Sequence, residues 1–390
     1  MKNILVIGFS TRNVVCSGKR AGYNMYALDA FCDHDLNECA DAAIQFDIED
    51  GFDVKSIKVE EILQLIEEFG VDFDAIIPGS GFETIEIPNC KYPILRNDVA
   101  TMQKVTDKSI FANVLETMGF PHPLKFSLDG GMGIDYPVMV KPVCGGGGIF
   151  NRVIQNRDEL DSYLDFLEGG EIPLSKKDML IQEYLEGIPA SVSVISTKDA
   201  AHSVAVNEQL IGIPWLTDMP FAFCGNITPF ESPYTGRMKE LAEELILKIG
   251  LIGSNGVDFL VTEKGPVILE VNARFQGSLD TVELASKINI FDAHMKAFEG
   301  QISIPDSPVC QYAGRAVLYG NREVEITEEI RGRILKKRSA DVPNCGHVSC
   351  ANEPITSVLA TGGTREEVVN ELKNSAMFIH ESLDVNRPWG

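Results

Sequence analysis

The chain lacks any run of 18 consecutive apolar residues, which excludes a membrane-spanning helix. No cleavage-site pattern follows "MKNILVIGFSTR", so the N-terminus reads as a first strand rather than a signal peptide. Basic charge is scarce: 34 Lys and Arg stand against 57 Asp and Glu, a formal net charge of −23. Nucleic-acid binders carry a basic footprint, so that class is excluded. The run Arg331, Arg333, Lys336, Lys337 and Arg338 is the local exception and reads as a solvated face. Two familiar nucleotide signatures are also missing. No G-x-G-x-x-G follows the first strand, and Gly18-Lys19 has Asn13 where a P-loop needs glycine and Arg20 where it needs Ser or Thr. The nine cysteines are odd in number and dispersed, which predicts free thiols in a reducing cytoplasm. Cys345-x-His347-x-x-Cys350, with Cys32, His34 and Cys39, fits no zinc spacing and reads as buried thiols.

What is present describes an ordinary globular protein, 44% hydrophobic and 23% charged. Its 390 residues exceed one core and predict two or three domains. Residues 1–100 alternate strand and helix: "NILVIG", a helix reaching Gly22, "MYALDA", the amphipathic "VEEILQLIEEFG", and "DAIIPGSGFE". Such alternation predicts a parallel sheet with helices on both faces. Ligands bind beyond the carboxyl ends of its strands, where Gly8–Arg12 and Gly79–Glu83 fall. In "KVTDKSIFANVLETMGFPHP" a helix is expected to bury Ile110, Phe111, Val114, Leu115 and Met118, with Asp107 as N-cap and Gly119 as its stop. Then come "YPVMVKP" with four glycines, a charged helix near 157–168, "DMLIQEYLEG", the alternating strand "ASVSVIS" and "AHSVAVNEQ". A helix "RMKELAEELILKIG" precedes the paired strands "NGVDFLV" and "PVILEVN". After about residue 305 short strands lead to a last amphipathic helix, "VVNELKNSAMFI".

Three features carry chemistry together. Lys108 follows Asp107, Lys141 precedes Gly145, Gly146, Gly147 and Gly148, and the paired strands hold Asp258, Glu270 and Asn272. A nucleoside triphosphate needs cations for its phosphates, backbone N–H groups over its end and hard oxygen ligands for its metal. Lysines, glycines and the carboxylate–amide set supply these in turn. Glu270 and Asn272 are two apart on a strand and share a face, with Asp258 opposite and Arg274 continuing the row. Each feature alone is bland: a surface lysine, a slack loop, the solvent side of an edge strand. Jointly, and in this order, they point to a nucleotide site.

These residues resemble the ATP-grasp superfamily, in its biotin carboxylase and purine-pathway branch. "DKSIFANVLETMGFPHP" is similar to the family's Asp-Lys helix and G-x-P-x-P turn, "YPVMVKPVCGGGG" to its lysine strand and glycine loop, and "IQEYLEG" to its adenine hinge. "ILEVNARFQGS" resembles its E-x-N-x-R-x-Q metal strand, "IIPGSGFE" its substrate loop, and "ITSVLATGGTREEV" its C-terminal segment. The resemblance implies an α/β fold, α+β in the centre. It comprises a parallel pre-ATP-grasp domain at 1–100, a two-lobed ATP-grasp domain at 101–305 with its glycine-loop lobe at about 125–185, and a β-rich segment at 306–390 that completes the fold. It implies that Lys108 and Lys141 contact the α- and β-phosphates of ATP and that Gly145–Gly148 close over them. Glu183 would receive the adenine amino group, with Tyr184 and Leu185 offering backbone and Glu186 the ribose. Asp258, Glu270 and Asn272 would hold Mg²⁺ (or Mn²⁺), and Arg274 would steady an oxyanion. Ser10, Thr11, Arg12, Ser80, Glu83 and Gln276 become substrate candidates; Arg12 reads equally as a helix-start cation among acidic neighbours, and Arg274 as a partner of Glu83 or Asp280.

The resemblance therefore implies an ATP-dependent carbon–nitrogen ligase with small-molecule carboxylate and amine substrates, cytoplasmic, without nucleic-acid or membrane partners and with room for a homodimer. Two departures bear on it. Gly277-Ser278 stands where a biotin carboxylase places its bicarbonate-activating glutamate, and "EGIPASVSV" lacks the second ribose glutamate. A bicarbonate-using carboxylase and a non-catalytic ATP-binding regulator are the competing readings. No Ser/His/Asp or Cys/His nucleophile stands out, and His202 and His347 read as structural.

Overall fold

The computed structural model describes residues 1–47, 59–127, 133–148, 150–169, 174–305 and 309–383. The chain opens with β1 (Asn3–Gly8), α1 (Arg12–Arg20), β2 (Asn24–Asp29), α2 (His34–Cys39), β3 (Ala42–Gln45), α3 (Val59–Glu68) and β4 (Ala75–Pro78). The four strands form a parallel sheet in the order β3-β2-β1-β4. Ile4–Ile7 and Ala75–Ile77 are apolar and fully covered, as a sheet clad on both faces requires. Adjacent β1 and β4 release their loops side by side, and Phe9 N–H donates to Ser80 O at 3.0 Å. One cysteine expectation fails here: Cys16 of α1 and Cys39 of α2 form a disulfide. Cys32 and Cys224 are buried thiols, whereas Cys345 is half-buried and Cys350 exposed.

Two helices follow where the sequence suggested one, α4 (Val99–Thr106) and α5 (Lys108–Met118). Asp107 breaks them: its extended backbone ends α4 while its carboxylate accepts the N–H groups of Ser109 and Ile110 as the N-cap of α5. The helix buries Phe111, Ala112 and Leu115 and leaves Ile110 45% exposed, because the buried stripe is rotated one position from the expected face. Gly119, at φ 74°, closes it in the left-handed region. A small lobe contains β5 (Lys125–Phe126), β6 (Val138–Pro142), β7 (Arg152–Ile154), α6 (Arg157–Glu168) and β8 (Met179–Glu183). Its antiparallel order is β5-β8-β6-β7, backed by Leu160, Leu164 and Leu167 of α6.

The remaining elements are β9 (Ile188–Ser196), β10 (Ala201–Ile211), β11 (Phe223–Thr228), α7 (Thr235–Ile249), β12 (Gly253–Thr262), β13 (Gly265–Asn272), α8 (Leu279–Ser286) and α9 (Ile290–Phe298). After them come β14 (Tyr312–Tyr319), β15 (Val324–Glu325), α10 (Glu328–Ile334), β16 (Ser339–Ala340), β17 (Val348–Ser349), β18 (Pro354–Gly362) and α11 (Arg365–Leu383). Eight strands build one sheet, β13-β12-β9-β10-β11-β14-β18-β16, so β14, β18 and β16 extend the central sheet, while β15 and β17 pair in a small sheet of their own. β9 alternates in sequence yet is buried from Ala190 to Ser196. Val192 and Val194 pack with Leu241 of α7 on one side, while Ile195 packs with Phe291 of α9 on the other. Ile4, Val6 and Ile77 of the first sheet share that second core with Leu279 and Val282 of α8. This apolar seam seats the N-terminal loops against the turn between β13 and α8.

Candidate active site

β12 and β13 are antiparallel with Asp258 opposite Glu270, so the two carboxylates face each other across one register step. Asn272 lies on the same face of β13, and its Nδ2 donates to Asp258 Oδ2 at 3.2 Å. Arg274 Nη2 donates to Asn272 Oδ1 at 3.2 Å, continuing the row as the two-residue period demands. Lys108 reaches this row from the first turn of α5: its Nζ lies 3.3 Å from Glu270 Oε2 and donates to Gly145 O at 2.6 Å. Its backbone N–H binds Val143 O, which ties the start of α5 to the end of the lysine strand. Lys141 on β6 is only 8% exposed.

The charges act on one another. Burial pushes the Lys141 ammonium down to about 8, with Lys108 adding to the fall and Glu270 opposing it. Burial also works against ionised Glu270, yet the ammonium groups of Lys108 and Lys141 hold it below the usual carboxylate range. Asp258 goes the other way: burial, then the facing Glu270, holds its carboxyl well above that range. Among the described residues no group of three His, Cys, Asp or Glu could hold a metal. Two carboxylates and an amide fit Mg²⁺, which takes few protein oxygens and completes its shell with phosphates and water.

The glycine run turns through the left-handed region at Gly145, Gly147 and Gly148, with φ of 93°, 78° and 74°. A Cβ on Gly148 would lie 2.0 Å from Phe221 O, so the loop's end closes against the opposite lobe only as glycine. Glu183 ends β8; its carboxylate accepts the Leu124 N–H at 3.3 Å, while Tyr184 and Leu185 are half-buried and Glu186 is exposed.

The substrate candidates divide. Glu83 pairs with Arg274 at 2.5 Å, bringing its loop to the row of polar residues on β13, and Ser10 is exposed on the neighbouring loop. Gln276 Nε2 folds back to donate to Arg274 O. Thr11 and Arg12 do not face a ligand. Thr11 N–H and Oγ1 both bind Asp29 Oδ2, at 2.6 and 2.8 Å. Arg12, 5% exposed, forks onto Asp280 at 2.9 and 2.7 Å and reaches Asp341 at 3.0 Å. The acidic-neighbour reading of Arg12 is the one its surroundings match, since a buried guanidinium needs such partners. Sequence reasoning passed over Gln209, whose side chain hydrogen-bonds Asp258 from β10; its place in the alternating strand was the available signal.

Known proteins resemble this chain along most of its length. Residues 105–278 match the model of an ATP-grasp domain. An uncharacterized protein of Methanocaldococcus jannaschii is 23% identical over 367 residues, covering 91% of this chain and 87% of that one. A 3-methyl-D-ornithine–L-lysine ligase of Methanosarcina barkeri is 26% identical over 325 residues, covering 80% and 79%. The structure of Campylobacter jejuni biotin carboxylase in complex with β,γ-ATP superposes with a TM-score of 0.73 at 18% identity, covering 98% of this chain and 95% of that one. The chain is thus similar to ATP-grasp proteins, with the matched ATP-grasp domain at residues 105–278.

Proposed function

We propose that the chain is an ATP-dependent carbon–nitrogen ligase that activates a small-molecule carboxylate as an acyl-phosphate and joins it to an amine. One observation carries this reading: two lysines, two facing carboxylates, an amide and an arginine meet in a single cluster, and a loop of the first sheet touches it through Glu83. Residues 1–100 bring the substrate loops, 101–305 the nucleotide site, and 306–390 the strands that brace it. Lys108 and Lys141 would bind the α- and β-phosphates, Gly145–Gly148 would cover them, and Glu183 with Tyr184 and Leu185 would meet the adenine. Glu186, beside the hinge, would meet the ribose. Asp258, Glu270 and Asn272 would hold Mg²⁺ or Mn²⁺, which supplies charge neutralisation at the phosphates when bound.

The chemistry then needs positioning more than a nucleophile. A carboxylate oxygen attacks the γ-phosphorus, the bond to the β–γ bridging oxygen breaks and ADP leaves. The amine nitrogen attacks the acyl carbon, phosphate departs with the bonding pair, and one proton is released. Arg274 stabilises the oxyanion that forms at that carbon. The glycine loop excludes water, which would otherwise hydrolyse the acyl-phosphate. Glu83, Ser80, Ser10 and Gln276 are the groups left to select the substrates.

A bicarbonate-using carboxylase is disfavoured by Ser278, which is 5% exposed and 3.4 Å from Ser193 Oγ, so no carboxylate occupies that position. A regulator without turnover has no need of Lys141, Glu270, Asn272 and Arg274 together. ADP release that requires both a carboxylate and an amine supports the ligase; release with bicarbonate alone refutes it.

A further inference from the structure

The segment from Ala273 to Asp280, the turn after β13 and the first residues of α8, is held from outside at four points. Glu83 pairs with Arg274, and Arg12 forks onto Asp280. Between these anchors, two consecutive carbonyls are fixed by side chains from opposite ends of the chain. Asn13 Nδ2, from the first turn of α1, donates to Gln276 O at 3.3 Å. Arg315 Nη1, from the middle of β14, donates to Gly277 O at 3.1 Å. Arg315 is itself immobilised, with Nη2 on Asp341 Oδ2 at 2.5 Å and Nε on Ser357 Oγ at 3.0 Å. Asp341 also accepts Arg12, so the first sheet and β14 grip the turn through one linked set of bonds. The Gln276 carbonyl also accepts the Leu279 N–H at 3.1 Å, so Asn13 gives it a second bond, whereas the Gly277 carbonyl takes its bond from Arg315 and would need another donor if that side chain were removed.

We propose that Asn13 and Arg315 are positioning residues for the acceptor side of the reaction. They do not meet substrate. By fixing the carbonyls of Gln276 and Gly277 they set the backbone next to Arg274, the group proposed to steady the oxyanion. Misplacing a catalytic group by an ångström costs on the order of 100-fold in rate, whereas the phosphate contacts of Lys108 and Lys141 lie on other elements and are unaffected. This inference rests on the ligase reading for its kinetic consequences and on geometry alone for its structural one.

The test compares Asn13→Ala, Arg315→Gln and Arg315→Lys with Arg333→Gln, which removes a similar arginine-to-carbonyl bond (to Phe378 O) far from the site. Steady-state ADP release is measured with hydrogen exchange of peptides covering 274–281. Asn13→Ala and Arg315→Gln are expected to lower kcat about 10- to 100-fold, leave the KM for ATP within about twofold, and speed exchange at 276–281. Arg315→Lys, which keeps one donor, recovers part of the loss, and Arg333→Gln changes neither quantity. Unchanged exchange, a KM for ATP that rises as kcat falls, or an equal effect of Arg333→Gln overturns the proposal. If the wild type releases no ADP with any carboxylate, the ligase reading fails, and exchange at 276–281 in Asn13→Ala still decides the positioning role.

Discussion

Lys141→Met is the perturbation whose two effects separate most sharply. The lysine is almost fully buried, and burial brings its pKa from 10.5 down to about 8. That drop means the folded protein holds the ammonium at a disadvantage of about 3 kcal/mol relative to the unfolded chain. Methionine keeps the length of the side chain and removes the charge, so the nucleotide-free variant should be more stable than the wild type by up to about 3 kcal/mol at pH 7. The pH dependence follows from the sign. Below pH 8 both states of the wild type are protonated and the penalty is fully present. Between pH 8 and 10.5 the folded state has shed the proton and the unfolded state has not, so wild-type stability rises with pH. The advantage of the variant should fade over that window. Urea denaturation at pH 7 and pH 9.5, without nucleotide, measures it; ADP release measures the other side, where the variant should be inactive. A variant less stable than the wild type at pH 7, or an advantage that grows with pH, refutes the reasoning, and wild-type ADP release sinks the role given to Lys141.

Three further outcomes are expected. Glu270→Ala removes an oxygen ligand and the counter-charge of both lysines, and should lower ADP release by about 1,000-fold or more while the far-ultraviolet spectrum is unchanged. Gly148→Ala places a methyl group against Phe221 O at a backbone φ of 74°, so the loop cannot seat: the KM for ATP should rise with thermal stability unaffected, and unchanged ATP kinetics would contradict the closure. Asp33 is pushed up to about 8 by burial and by Asp341, so wild-type stability should fall as pH rises from about 4 to 8. Asp33→Asn should be the more stable protein at pH 7 and match the wild type near pH 4, as denaturation at the two pH values will show.

The chemistry-bearing row was legible in the sequence because a strand's period is two: Glu270, Asn272 and Arg274 had to share a face, and a short turn had to bring Asp258 opposite. Asp107 and Gly119 were legible as caps for the same local reason. What local pattern could not tell was which face of α5 is buried, since Ile110 and Phe111 are both apolar and only the packing of Leu115 chooses between them. The burial of both faces of β9 likewise depends on α7 and α9, which lie far along the chain. Arg12 shows the limit most clearly. Its partners Asp280 and Asp341 are 268 and 329 residues away, so an arginine at a ligand-side loop could not be recognised as a buried structural hub. Asn13 and Arg315 were invisible for the same reason, since their function is defined by carbonyls contributed by a distant turn.

The central claim is that a carboxylate and an amine are joined at the expense of ATP, and it is tested most directly by a coupled ADP-release screen of amino acids and small carboxylates, singly, in pairs and with bicarbonate, followed by mass analysis of the products. The account predicts ADP release that depends on a pair and an amide product whose mass is the sum of the two partners less one water. ADP release driven by bicarbonate without an amide product, or no release with any pair despite tight ATP binding, would contradict it.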